Sequence, residues 1–136
     1  MPDLVRFGVS LEKELLDRFD DLIHTEGYTN RSEAIRDLIR ERFTKKEWEC
    51  GNVVVGAIAI VYDHHYSNLL ERLTEVQHKF GNVISSFHIH LTHDTCLEII
   101  AVRDKSKNIT QFAHQIKAIK GIKQCDVAMC SIGSSK

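Results

Sequence analysis

From residue 53 onward the apolar residues keep changing period, and the order of those changes leaves few folds open. "VVVGAIAIVY" at 53–62 is an unbroken apolar run of strand length, and "SNLLERLTEVQHKF" at 67–80 carries a single apolar helical face. "VISSFHIHL" at 83–91 and "CLEIIAVRD" at 96–104 read as strands, "NITQFAHQIKAI" at 108–119 as a helix and "IKQCDVAMC" at 122–130 as a last strand. The order β-α-β-β-α-β is that of a ferredoxin-like, split-βαβ domain. An α+β unit is therefore expected over residues 52–136.

The first fifty residues follow another pattern. In "LVRFGVSL", Val5, Phe7 and Val9 alternate with Arg6, Gly8 and Ser10, as in a short half-buried strand. Leu11, Leu15, Phe19, Leu22 and Ile23 then share one face of a helix expected over residues 11–26, with Ser10 as N-cap and Gly27 as terminator. Asn30 and Glu33 have capping-box spacing ahead of a second helix, whose inward face would be Ala34, Ile35, Leu38, Ile39 and Phe43. The charged stretch "TKKEWECGN" at 44–52 breaks this periodicity and reads as a linker, which gives domains of 1–46 and 52–136.

One strand and two helices are a poor monomer, because a lone strand leaves its backbone polar groups unpaired. Two copies would solve this by pairing their strands into an antiparallel ribbon. Such a ribbon fits the DNA major groove and would present Arg6 and Ser10 to base edges; the alternative is an Arg6 that is merely solvated.

Composition excludes several classes. A net charge of −1 rules out a uniformly basic nucleic-acid coat, although it allows a local DNA-binding patch. The opening "MPDLVRFG" has no secretory pattern, and no apolar run approaches the roughly 18 residues of a membrane span. A soluble cytoplasmic protein with no membrane partner is expected. Its four cysteines, Cys50, Cys96, Cys125 and Cys130, are too few and scattered for a secreted disulfide scaffold, so reduced thiols are expected.

One of those thiols has company in "FHIHLTHDTCLEI" at 87–99. Side chains alternate along a strand, so His88 and His90 share a face, and a turn at "LTHDT" lets Cys96 open the antiparallel neighbour. Thiolate with imidazole suits zinc, copper or nickel rather than magnesium or calcium. The pattern fits equally well two solvated histidines beside a structural cysteine. His78, late in the preceding helix, is a candidate fourth donor that a partner subunit could supply, and Glu98 is placed to accept from an imidazole N–H. His64 and His65 in a loop could bind further metal weakly but read as solvated, as does His93 in the turn. Cys125 and Cys130 have opposite parity on their strand and should point to different faces, and Cys50 lies in the linker.

"NRSEAIRDLIR" at 30–40, together with "QH" at 77–78, "HIHLTHDTCLEI" at 88–99 and "KGIK" at 120–123, resembles the nickel-responsive transcriptional regulator family over nearly the whole chain. The resemblance implies a homotetramer with ribbon-helix-helix dimers at its ends and ACT-like regulatory domains in its middle. It further implies Ni(II) held in planar geometry by His88, His90 and Cys96 of one subunit and His78 of another. A K+ ion between the two domain types is implied as well, on Glu33 and Asp37, whose own spacing reads as a solvated pair. The implied function is metal-dependent binding of double-stranded operator DNA that represses nickel-uptake genes, with no enzymatic activity. The rival expectations are the same scaffold sensing another transition metal or an amino acid, and a hydrolytic metalloenzyme. Three departures from the family pattern stand out: His78 and His88 are one residue closer than expected, Gly8 replaces a small hydroxyl residue on the DNA face, and "HHYSN" at 64–68 lacks the basic pair that some relatives place near DNA phosphates.

Overall fold

The computed structural model describes residues 3–133, and the chain divides between Glu41 and Arg42 into two compact units. Among the described residues, no helix is long and apolar enough to cross a membrane.

In the first unit, residues 3–12 form neither helix nor strand. A strand exists through its ladder, and all the described strands pair within one sheet of the second unit, so the alternating segment has no partner in a single chain. The first helix, α1, spans Lys13–Thr25, two residues shorter at its start than the periodicity suggests. Its N-cap is Glu12, with no side-chain cap; Ser10 lies too far upstream to serve. Gly27 follows its last turn, as expected.

The second helix, α2, runs from Arg31 to Cys50. The Glu33 N–H donates to Asn30 Oδ1 at 2.9 Å, which makes half of the capping box. The Glu33 carboxylate instead accepts from Thr29 Oγ1 at 3.1 Å. Of the residues expected to face inward, only Ile23 and Ala34 are buried; Leu11, Leu15, Leu22, Leu38, Ile39 and Phe43 are exposed. Their pattern is that of an interior which one chain does not complete.

The stretch 44–50, expected to be linker, is the last part of α2. Trp48 explains the difference. Its buried indole joins the core of the second unit, Nε1 donates to Cys130 O at 2.9 Å, and its own carbonyl accepts from Ser106 Oγ at 2.6 Å. A single aromatic anchored across the chain holds a segment helical that charge and periodicity read as a break.

The rest of the second unit follows the expected order: β1 Val53–Asp63, α3 Leu69–Phe80, β2 Val83–His90, β3 Thr95–Lys105, α4 Ser106–Lys117 and β4 Ile122–Cys130. The four strands form one antiparallel sheet ordered β2-β3-β1-β4. Along β1, Val54, Ile58, Ile60 and Tyr62 point into the core against Leu69 and Leu73 of α3 and Ile109, Phe112 and Ile116 of α4. Phe80 stacks on Phe112 at 4.2 Å and closes that layer at the end of α3. Period-two burial on β1 and β3 and one buried face on each of these helices give the core in the places the sequence indicates.

Candidate metal centre

The site grows out of strand register. β2 and β3 pair so that His88 stands opposite Glu98 and His90 opposite Cys96, and β1 continues the row with Tyr62 opposite Cys96. Because alternate residues share a face, these five side chains lie on the side of the sheet that carries the helices. They line one pocket together with Leu70, Leu73, Thr74 and Gln77 of α3. Intervening Phe87 and Ile89 point to the other face and are exposed.

Cys96 is fully buried, and its Sγ is 3.4 Å from His90 Nδ1. Two such donors on one first-row ion are separated by about 3.1 Å at a right angle and about 3.6 Å at a tetrahedral angle, given metal–sulfur and metal–nitrogen bonds of about 2.3 and 2.0–2.1 Å. The pair therefore fits a metal ion with little rearrangement, and the borderline-soft donor set suits nickel, copper or zinc. Burial, followed by the Glu98 and Asp63 carboxylates, pushes the Cys96 thiol above its usual range. Ligation must therefore displace a proton from sulfur. The His88 ring lies 5.8 Å, centroid to centroid, from that of His90, at the open end of the row.

A donor read from the sequence as solvated enters this site. His64, half-buried just past the end of β1, forms with His90 and Cys96 a set whose ligand atoms all lie within 4.8 Å of one another. The β1–β3 pairing brings it there, with the His64 N–H donating to Asp94 O at 3.2 Å. Nothing in the local pattern of "DHHYS" carries that information, since it depends on the register of strands more than thirty residues apart.

His78 is not part of the pocket. It is exposed and borders a separate groove with Leu70, Thr74, Glu75 and Lys79 of α3. The connection from α3 to β2 is short. Gly81 takes the left-handed conformation at φ +78°, its N–H donates to Gln77 O at 3.1 Å, and β2 begins two residues later.

Glu98 differs from expectation. Rather than meeting an imidazole, its buried carboxylate accepts from Tyr62 Oη at 2.9 Å and, more weakly, from Gln77 Nε2 at 3.5 Å. Burial, followed by the bond to Glu98, raises the Tyr62 pKa, so the phenol stays a donor. Tyr62, which the sequence does not single out, and Gln77 thus tie β1 and the last turn of α3 to the donor-bearing strands. Cys125 packs against the core while Cys130 and Cys50 are exposed.

In the first unit Arg6, Gly8 and Ser10 are all exposed. A Cβ at Gly8 would meet nothing within 4 Å, so glycine answers no packing demand there. Glu33 and Asp37 are engaged separately: Glu33 accepts from Thr29, whereas Asp37 accepts from Tyr28 Oη at 2.7 Å and pairs with Arg40 at 3.5 Å. Neither belongs to a potential metal-binding group of three or more His, Cys, Asp or Glu residues among the described residues.

Fold and site together define a class: a ribbon-helix-helix segment followed by an ACT-like domain with nitrogen and sulfur donors on its sheet. Residues 5–46 match the family model described as "Ribbon-helix-helix protein, copG family", and residues 55–130 match "NikR C terminal nickel binding domain". A "Putative nickel-responsive regulator" of Syntrophus aciditrophicus (strain SB) is 49% identical over 98% of both chains. The protein of the same name from Pyrococcus furiosus is 44% identical over 96% of both. Among solved structures, the ACT domain from GTP pyrophosphokinase of Chlorobium tepidum superimposes with a TM-score of 0.51 at 13% identity, covering 57% of this chain and all of that one. That likeness concerns the fold alone. The chain belongs to the nickel-responsive regulator family.

Proposed function

We propose that this protein is a nickel-responsive, DNA-binding transcriptional regulator that represses nickel-uptake genes when Ni(II) is bound, and that it is not an enzyme. The observation that carries the reading is the cross-strand pair His90–Cys96, with donors 3.4 Å apart, in a chain that opens with a ribbon-helix-helix segment.

Cys96, His90 and His88 would hold the ion from one subunit and His78 from another. The exposure of His78 away from its own pocket supports a ligand given to a neighbour rather than kept. When bound, the ion supplies a bond between two chains. The residues do the rest: β3 fixes Cys96 in a buried position, β2 presents the imidazoles, and Glu98 with Tyr62 and Gln77 holds the end of α3 that carries His78. For a switch to operate, the metal-bound assembly must favour the DNA-competent arrangement over its alternatives. Val5, Phe7 and Val9, exposed in one chain, support pairing of two N-terminal segments into a ribbon, which would present Arg6, Gly8 and Ser10 to the major groove of operator DNA. Exposed Phe87 and Ile89 on the helix-free sheet face support further assembly to a homotetramer. K+ ligation by Glu33 and Asp37 belongs to the same proposal.

One observation favours a second reading, in which the scaffold senses another transition metal. His64, His90 and Cys96 are three donors within one chain, a set that a tetrahedral ion such as zinc could use without the partner. Titration of the reduced protein with Ni(II), followed by absorption spectroscopy, decides between them. A sulfur-to-nickel charge-transfer band with planar features, lost in Cys96→Ser and weakened in His78→Ala, is the expected result. A tetrahedral spectrum that depends on His64 and not on His78 would replace the first reading with the second.

A further inference from the structure

Residues 44–50 are helical although their own sequence gives little reason for it. Within that stretch Trp48 alone is buried. The last turn of α2 carries Glu47 and Glu49 and no basic residue, an arrangement that the helix dipole disfavours. Arg42 and Glu49 make only an exposed contact at 3.9 Å. The segment is therefore held from outside, by what Trp48 touches.

The indole occupies a notch in the sheet. A Cβ built on Gly56 would lie 3.3 Å from Trp48 Cη2 and 3.4 Å from Ala128 O, so the glycine in the middle of β1 leaves the space that the ring fills. Around the ring, Nε1 donates to Cys130 O, and Ser131 Oγ donates to Glu47 Oε2 at 2.6 Å. Backbone groups complete the seat: Ser106 Oγ donates to Trp48 O, and the Ser106 N–H donates to Asn52 O at 2.9 Å, which pins the turn after α2 to the start of α4. The face of β1 that carries Gly56 also carries Tyr62, which lines the Cys96 pocket.

We propose that Trp48 is a positioning residue, the bolt of a latch. Seated in the Gly56 notch, it keeps residues 44–50 a helical strut, so that a shift of β1 at the Cys96 pocket is passed to α2, whose earlier turns lie in the ribbon-helix-helix match. Unseated, the same residues revert to the flexible linker that their charge pattern describes, and metal binding no longer alters DNA binding. The coupling rests on the regulator reading above; the dependence of the helix on its seat does not. Coupling runs through an element only if both sites bias it, and its measure is the ratio of operator affinities with and without Ni(II).

The test uses the full-length reduced protein and a duplex selected from random-sequence DNA by its nickel-loaded form. Trp48→Ala should speed amide exchange across 44–50 at least about 100-fold while β1 and β3 keep their protection. Gly56→Val, which strands favour but which fills the notch, should do the same with Trp48 intact. Trp48 is the sole tryptophan, so its emission in Gly56→Val reports the ring directly, with a red shift and stronger acrylamide quenching expected. In both variants the nickel-dependent gain in operator affinity should fall at least about tenfold, with nickel affinity in the absence of DNA within about twofold of the parent. Trp48→Phe keeps a ring in the notch and lacks only the Nε1 donor, so it should recover most of the gain. A purely structural role would lower stability and leave the gain alone. Slow exchange at 44–50 in Trp48→Ala, or an undiminished gain with the ring expelled, overturns the proposal. If no nickel-dependent duplex can be selected, the regulator reading falls and takes the coupling with it, and the exchange rates still decide whether the indole holds the helix.

Discussion

The two units dispose of their apolar residues in opposite ways. In the second, Ile58, Ile60, Tyr62, Ile100 and Phe112 are at most 1% exposed, and a single chain closes the core. In the first, Val5 and Phe7 are 85% and 71% exposed, and the buried hydrophobic residues are Ile23 and Ala34. The amphipathic pattern of α1 is as clear as those of α3 and α4, so for this helix the difference lies in topology rather than hydrophobicity. Four strands and their helices bury one another, whereas an N-terminal segment without a ladder and two helices leave an apolar groove lined by Val5, Phe7, Val9, Phe19 and Ile35. A pattern that predicts an interior can thus belong to an interior shared between molecules.

Four experiments break or sharpen this contrast, in order of decreasing effect. Phe112→Ala removes a ring stacked on Phe80 in the closed core and should cost about 3–5 kcal/mol, read as a large fall in the thermal midpoint of the second unit. Phe7→Asp, in the open unit, should leave that midpoint within a degree or two, yet weaken operator binding by at least about 100-fold in a gel-shift or anisotropy titration. A drop in the midpoint as large as that for Phe112→Ala would show that the units are not independent.

The third experiment concerns the metal centre. The Cys96 thiol is raised above its usual range, so it is protonated at neutral pH and must lose that proton to ligate. Nickel affinity should therefore rise with pH and fall by about tenfold for each unit of acidification from this group, measured by competition with a chelator. A pH-independent affinity would exclude Cys96 as a ligand. The smallest effect belongs to the first unit's own local structure. Asn30→Ala removes the cap of α2 and should cost about 1 kcal/mol, detectable as a small loss of helical signal and stability.

Most of the second unit is legible in the sequence because its signals are local. The apolar runs of β1 and β3, a single apolar face on α3 and α4, and H-x-H with a cysteine across a turn are all readable within a dozen residues, whereas the alternating burial along β1 is not. What escaped the sequence depends on long-range register. Trp48 is a lone aromatic in a charged stretch, and its helix is secured by a partner 82 residues away. His64 reaches the Cys96 pocket only because β1 pairs with β3 so that Tyr62 faces Cys96. Glu98 shares a strand face with Cys96, as its spacing implies, but its hydrogen-bond partners come from β1 and α3, which no spacing rule links to it. In the first unit the alternation of Val5, Phe7 and Val9 is plain, whereas residues 3–12 pair with no described strand.

The position of β2 at the margin of the sheet has a consequence for how the donors move. Cys96 sits on β3, flanked on both sides by hydrogen-bonded neighbours, so its sulfur is a stationary reference point. The imidazoles at 88 and 90 ride on a strand zipped along one edge only, with a register irregularity between Val83 and Ser85. Capture of an ion can thus be accommodated by peeling or shearing the outer ribbon, and amide protons of β2 should exchange with solvent faster than those of β3. A donor set assembled in this way keeps one jaw bolted to the frame and the other on a hinge.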